Sequence, residues 1–228
     1  MHREWPSRLV PGALWQRSVA GPAEAARVLP DGCMDIIWTG EQLLVAGPDR
    51  TGWISEPLPG PVVVGLRFRP GVAPAVLGVP ASELLDRRVT LDAIWRPAVV
   101  RRLTEEVALA EVPTTVLERV AAERLGPRSP VDPLLPVVVE RLSAGVSISA
   151  IAAWTGVGER QLHRRSASWF GYGPKLLARI LRMGRALDLA RAGSPLATAA
   201  LDAGYADQAH LARDLRQLTG VSARRLLS

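Results

Sequence analysis

Glutamine, histidine and arginine gather on one side of the stretch GYADQAHLARDLRQLTG, residues 204 to 220: Gln208, His210, Arg213 and Gln217 lie opposite Leu211, Leu215 and Leu218 in a helical projection. Such a face suits hydrogen bonding to the edges of bases. Glutamine can pair with an adenine edge and arginine with a guanine edge through two bonds each, and a histidine can donate to a base or a phosphate. An amphipathic hairpin with a solvated face would show the same spacing. The stretch VSISAIAAWTGVGERQLHRRSASWFG, residues 146 to 171, repeats the plan, with Arg160, His163 and Arg164 outward and Leu162 inward.

These side chains can work together only if short helices hold them. In SPLATAALDAG, Leu196, Ala199, Ala200 and Ala203 recur at helical spacing, and their small size lets another helix cross closely. Gly204 can end that helix in the left-handed conformation, and Asp207 can cap the next. In the earlier unit Ile148, Ile151 and Ala152 precede a turn at Gly156. Two helices about a glycine turn, the second polar on its outer face, form a helix-turn-helix. Between the units, PKLLARILRMGRALDLARA, residues 174 to 192, has one proline, at its first position, where a helix tolerates it. As a helix this connector spans roughly 28 Å, which suits two reading helices about one DNA turn apart.

Charge points to the same region. Residues 1 to 130 carry 15 arginines against 15 acids, whereas residues 131 to 228 carry 13 basic residues against 7 acids. The net charge of +6 therefore sits in the helical part, where an anionic partner would dock. Within 228 residues no apolar run reaches the length of a membrane span and the start lacks the order of a signal peptide, so a cytoplasmic protein that avoids the membrane is expected. The single cysteine, Cys33, excludes an internal disulfide and a multi-cysteine zinc site.

The stretch GPRSPVDP, residues 126 to 133, reads as a linker. The domain boundaries expected are 1–126, a linker at 127–133, and 134–228. Ahead of the linker, MDIIW (34–38), QLLVA (42–46) and VVVGLRF (62–68) read as strands of a small sheet or barrel. From about Pro97 helical spacing takes over, with Val99, Val100, Leu103 and Val107, then Val116, Leu117, Val120 and Ala121. The fold class expected is α+β, a β-barrel over about 1–96, helices over about 97–125, and an all-α carboxy-terminal domain.

From about residue 134 onward the sequence resembles the AraC-type transcriptional regulators, most specifically in GYADQAHLARDLRQLTGVS. The resemblance implies two helix-turn-helix units bridged by a long helix, double-stranded DNA as partner, and RNA polymerase as a further partner if the protein activates. It places Gln208, His210 and Arg213 at base-facing positions, with Arg160, His163 and Arg164 in the corresponding places of the first unit, and makes Arg182 a frequent family arginine. Leu211 and Leu215 stand where the family usually has phenylalanine, Arg165 and Ser166 where apolar residues are common, and Gly158 where a serine or threonine cap is usual. The first unit is therefore expected to be the looser reader.

The pieces RVLPDGCMDIIW (27–38) and GLRFRPGVAPAVLGVPASELLDRRV (65–89) resemble the cupin-like sensor domain found ahead of such domains in regulators of actinobacterial type. That implies a small-molecule effector, and helices 97–125 could pair two copies or pack on their own barrel. Trp15, Trp38, Trp53, Asp31, Cys33, Asp35 and Arg67 are the candidate effector contacts; the tryptophans read more simply as core. A metalloenzyme is the competing class, but the first 130 residues hold one histidine, His2, so no metal or cofactor is expected. No GxSxG, P-loop or GxGxxG pattern occurs. A DNA-alkylation repair protein with Cys33 as acceptor is the alternative; a lone cysteine without a nearby histidine reads more simply as a buried apolar group.

Overall fold

The structure is a computed structural model that describes residues 2–18, 26–55, 62–126 and 131–227. Its amino-terminal part is β-rich. Strands β1 (His2–Pro6), β2 (Gly12–Ser18), β4 (Met34–Trp38), β5 (Leu43–Ala46), β7 (Val62–Phe68) and β8 (Arg88–Thr90) form one antiparallel sheet in the order β1-β2-β7-β4-β5-β8. Strands β3 (Ala26–Val28) and β6 (Trp53–Ser55) pair separately.

Alternation along the strands decides what each face does. Leu14, Ile36, Trp38, Val45, Val64, Leu66 and Phe68 point to one side, where α1 (Ala73–Leu77), α2 (Pro97–Leu109) and α3 (Pro113–Leu125) cover them with Val76, Leu103, Val107, Leu117 and Ala121. The other face carries Trp15, Asp35 and Arg67. In register, Trp15 lies opposite Gly65, and a side chain at Gly65 would collide with the indole.

The sheet does not close into the expected barrel. Among the described residues β1 pairs only with β2 and β8 only with β5, leaving two edges. Both edges are blunted: β1 ends in Pro6, which lacks a ladder donor, and β8 has three residues before the chain turns into a 3-10 turn at Leu91–Ala93. The strands expected at 34–38 and 62–68 form as read, and the one expected at 42–46 starts at Leu43. Of the expected linker, residues 127–130 lie outside the described residues.

Among the described residues seven helices make the carboxy-terminal part: α4 (Leu135–Ser143), α5 (Ile148–Thr155), α6 (Glu159–Phe170), α7 (Pro174–Arg191), α8 (Leu196–Asp202), α9 (Gln208–Thr219) and α10 (Ala223–Leu227). Their core is Leu142, Ile151, Leu162, Phe170, Leu177, Ile180, Met183, Leu187, Ala200, Leu211, Leu215 and Leu218. The α7 residues in that set recur every three or four positions, so α7 is the axle on which both helix pairs pack. The two parts of the chain touch as well: α6 lies against the 3-10 turn Ala81–Glu83, and Gly71 sits so close to Leu135 and Phe170 that only a glycine fits.

Candidate nucleic-acid interface

Each helix pair is built by its turn. In the first, the Ser147 hydroxyl caps α5 by accepting the Ala150 N–H at 3.2 Å, and Gly156 takes φ 66° to end it. In the second, Asp207 caps α9 by accepting the His210 N–H at 2.6 Å, and Gly204 lies at φ 88° between α8 and α9. Gly158 starts α6 with no side-chain cap. The two pairs thus differ at the head of their second helix, where a cap contributes about 1 kcal/mol.

Burial fixes which residues face outward. On α9, Leu211, Asp214, Leu215 and Leu218 are buried, whereas Gln208, Arg213 and Gln217 are exposed and His210 is half-buried. Arg216 is exposed on the same outer side, a residue the sequence reading passed over although it stands three positions after Arg213. On α6, Arg160, His163 and Arg164 are exposed around buried Leu162 and Ser166. Gln161 joins them, whereas the His163 imidazole lies against Gly173 at the start of α7, so close that a side chain there would strike it.

One charged residue occupies the buried stripe of α9. Asp214 is 5% exposed, and its Oδ1 accepts from Arg179 Nε at 2.8 Å and Nη2 at 2.5 Å. Its Oδ2 accepts the Tyr205 phenol O–H at 3.0 Å and lies 3.5 Å from Arg182 Nη2. The Arg182 guanidinium also sits 4.3 Å over the Tyr205 ring. Burial, then the Asp214 carboxylate, hold the Tyr205 phenol above its ordinary pKa, so it stays a donor. Arg182, expected at DNA, is thus engaged inside the domain, tying α7 to the turn ahead of α9. An aspartate three residues after Leu211 and four before Leu218 was the sequence signal, since a charge on an apolar stripe needs a partner.

Arg179 Nη2 also donates to Gln217 Oε1 at 2.7 Å, which aims Gln217 toward α7. There a cleft of about 600 Å³ opens between the start of α5, α7 and α9, lined by Ser147, Lys175, Arg179, Arg182, His210, Arg213 and Gln217. Its walls carry four basic side chains besides His210, and the only acid, Asp214, is already neutralised. A surface of this kind suits a phosphate backbone.

Residues 151–228 match a helix-turn-helix domain family, and residues 12–90 match a domain of unknown function. No curated protein matches the chain in sequence. The apo structure of ToxT K231A from Vibrio cholerae aligns with 96% of this chain and 97% of its own at 10% identity and TM-score 0.50, which shows the shared fold. The carboxy-terminal part is an AraC-type helix-turn-helix domain. Two further solved structures are similar over this domain. An AraC-type transcriptional regulator from Chromobacterium violaceum is 25% identical, covering 42% of this chain and 89% of that one at TM-score 0.39. The carboxy-terminal domain of AraT, a response regulator from Geobacillus stearothermophilus, is 19% identical, covering 43% and 87% at TM-score 0.40.

Ahead of the AraC-type domain, five of the seven candidate effector residues converge on the polar face of the sheet. The Trp15 indole N–H donates to Asp35 Oδ1 at 2.7 Å, and Arg67 Nε lies 3.3 Å from the same oxygen. Arg67 Nη1 is 3.7 Å from both Asp31 Oδ2 and Glu4 Oε2, and Asp31 Oδ1 accepts the Cys33 N–H at 2.8 Å. Burial, opposed by Arg67, pushes the Asp35 carboxyl up to about 6. Although burial works against its charge, Asp35, Asp31 and Glu4 hold Arg67 above its ordinary pKa.

The other two candidates lie elsewhere. Trp38 belongs to the core on the opposite face, and Trp53 donates to Asp49 Oδ2 at 2.9 Å beneath the Arg88 guanidinium. Cys33 gains no support as an alkyl acceptor, because burial and then Asp31 raise its thiol well above the ordinary pKa, away from the thiolate that such chemistry requires. Among the described residues there is no group of three or more possible metal ligands, and no helix long and apolar enough to cross a membrane.

Proposed function

We propose that this protein is a transcriptional regulator that reads duplex DNA with α6 and α9 in two successive major grooves. The carrying observation is the pair of exposed polar helix faces, Arg160 and Arg164 on one and Gln208, Arg213 and Arg216 on the other, hung on the single axle α7. Lys175, lining the basic cleft between α5, α7 and α9, suits phosphate contact, whereas Arg179 and Arg182 serve by holding Asp214. His163, against Gly173, and His210, half-buried and edge-on to the Tyr205 ring, suit phosphate rather than base contacts. At an activating operator the DNA-bound protein would also meet RNA polymerase, and the setting is the bacterial cytoplasm. A small molecule at the Trp15–Asp35–Arg67 cluster, or pairing of two copies, supplies the modulation.

The test is selection of bound duplexes followed by affinity measurements across salt concentration. Arg213→Ala is expected to cost about 1–3 kcal/mol and relax preference at one base pair, while Lys175→Ala weakens all sequences evenly and lowers the salt slope by about 1. Equal losses on every sequence from both substitutions would remove Arg213 from base reading.

A further inference from the structure

One loop of the amino-terminal part touches the ends of both reading helices. The segment 47–52 joins β5 to β6. Near its start, Pro48 packs on Gly171, the residue that ends α6 at φ 84°, so tightly that a side chain at Gly171 would meet the Pro48 ring at 2.8 Å and the Ala81 carbonyl at 3.3 Å. At its finish, the Gly52 N–H donates to the Leu218 carbonyl in the last turn of α9 at 2.6 Å. Next door, Arg27 of β3 donates from Nη1 to the Thr219 carbonyl at 2.9 Å. A helix leaves its last carbonyls without partners inside the helix, so these two donors occupy positions that water would otherwise take.

The same loop is anchored firmly to the sheet. Asp49 accepts from Arg88 at 2.7 Å and from Trp53 at 2.9 Å, Gly47 N–H donates to the Arg87 carbonyl at 2.9 Å, and the Pro48 carbonyl accepts the Asp86 N–H at 2.9 Å. Asp86 sits at φ 55°, unusual for a residue with a side chain, and accepts the Arg50 N–H at 2.8 Å and Arg50 Nε at 2.6 Å. Residues 47–50 are thus pinned on one side, and Pro48 and Gly52 meet the two helices on the other. Gly171 and Gly220 are equivalent ends of equivalent helices, each left-handed, so the loop meets the repeat at matching places.

Resting on the proposed two-groove reading, we infer that segment 47–52 with Arg27 is a strap that sets the relative orientation of α6 and α9, making Pro48, Gly52 and Arg27 positioning residues for DNA recognition. The α7 axle alone fixes how far apart the pairs sit, but contacts along one helix leave each pair a rocking motion about it. The strap removes that freedom by holding the far ends of both helices to one rigid edge, and any change in the sheet that moves Asp49 or Arg88 reaches both readers at once.

The experiment places nitroxide labels at Ser168→Cys on α6 and Ala212→Cys on α9 in the full chain carrying Cys33→Ser, and measures the label separation by pulsed electron paramagnetic resonance. Two strap variants are compared, Arg27→Gln and Gly52→Val; a side chain at Gly52 would press on Thr219 Cα at 3.1 Å and on the Val28 carbonyl at 3.2 Å. A narrow parent distribution that broadens or shifts in both variants is expected, together with about a tenfold or greater loss in the ratio of affinities for two-groove over one-groove duplexes. Arg27→Gln removes one donor without steric pressure and keeps the test informative if Gly52→Val fails to fold. An unchanged separation in folded Arg27→Gln and Gly52→Val overturns the strap. A separation that responds, in a protein that prefers no duplex, would uphold the strap and remove the DNA reading.

Discussion

Substituting Asp214 by asparagine tests whether the second helix pair is organised by a buried charge. Asparagine keeps the shape and one acceptor oxygen but turns an NH2 toward groups that are themselves donors: Arg179, Arg182 and the Tyr205 phenol. Hydrogen bonds to a charged partner contribute about 1.5–3 kcal/mol each, and removing one side of a buried ion pair costs about 3–5 kcal/mol. The arginines are not sealed in, with side chains 31% and 29% exposed, so both can turn partly toward water and recover some of that loss. The expected net cost is therefore about 2–4 kcal/mol, a fall in melting temperature of about 5–15 °C for a chain of this size. Urea denaturation with unchanged slope would confirm a loss of stability rather than of compactness. A cycle with Arg179→Met should show coupling above about 1 kcal/mol, while Asp214→Leu combined with Arg179→Met, Arg182→Met and Tyr205→Phe should recover much of the stability. An Asp214→Asn protein melting within about 2 °C of the parent would refute the reasoning, because Asp214 would then be contributing no more than a surface pair.

Other outcomes follow from the same contacts. Gly171→Ala forces a side chain into a left-handed position against Pro48 and the Ala81 carbonyl, and is expected to destabilise by more than the roughly 1 kcal/mol of conformational strain alone, read by thermal melting. Asp35, raised from 3.8 to about 6 in the folded protein, binds its proton more tightly there than in the unfolded chain, so its contribution to stability is fully present below about pH 4 and is lost as pH rises through about 6. Comparing pH–stability curves of the parent and Asp35→Asn should show that limb, at most about 3 kcal/mol, only in the parent, and parallel curves would refute it.

Legibility tracked how local the cause was. Asp207 as a cap, Gly156 and Gly204 at turns, and the start of the axle at Pro174 follow from preferences that act within a few residues, and each appears where the sequence places it. The closure of the sheet was not readable, because it depends on whether β1 and β8 find each other across the whole domain. Trp38 and Trp53 were counted with Trp15 by residue type, but strand alternation sends Trp38 to the core face and Asp49 holds Trp53 at the strap. Arg182 matched a family position, yet its partners Tyr205 and Asp214 come from a segment more than twenty residues on. The contact between Gly52 and Leu218 spans most of the chain and leaves no pattern in either segment.

The two helix pairs share one plan but are stabilised by different means. In the second, Asp207 caps α9 and Asp214 locks it to the axle through Arg179. In the first, Gly158 provides no cap, and at the position equivalent to Asp214 stands Arg165, which reaches Asp132 at 3.4 Å ahead of α4 instead of the axle. Ser166 is fully buried with its hydroxyl unpartnered, where the second pair has Leu215. A helix without a cap or a polar lock depends more on what packs against its far end, and for α6 that is Pro48 with the Ala81–Glu83 turn. Helix α6 should therefore draw more of its order from the amino-terminal part than α9 does. Disturbing Pro48, for instance by Pro48→Ser, is expected to raise amide exchange in α6 before α9. Hydrogen exchange that rises equally in both helices, or first in α9, would overturn this asymmetry.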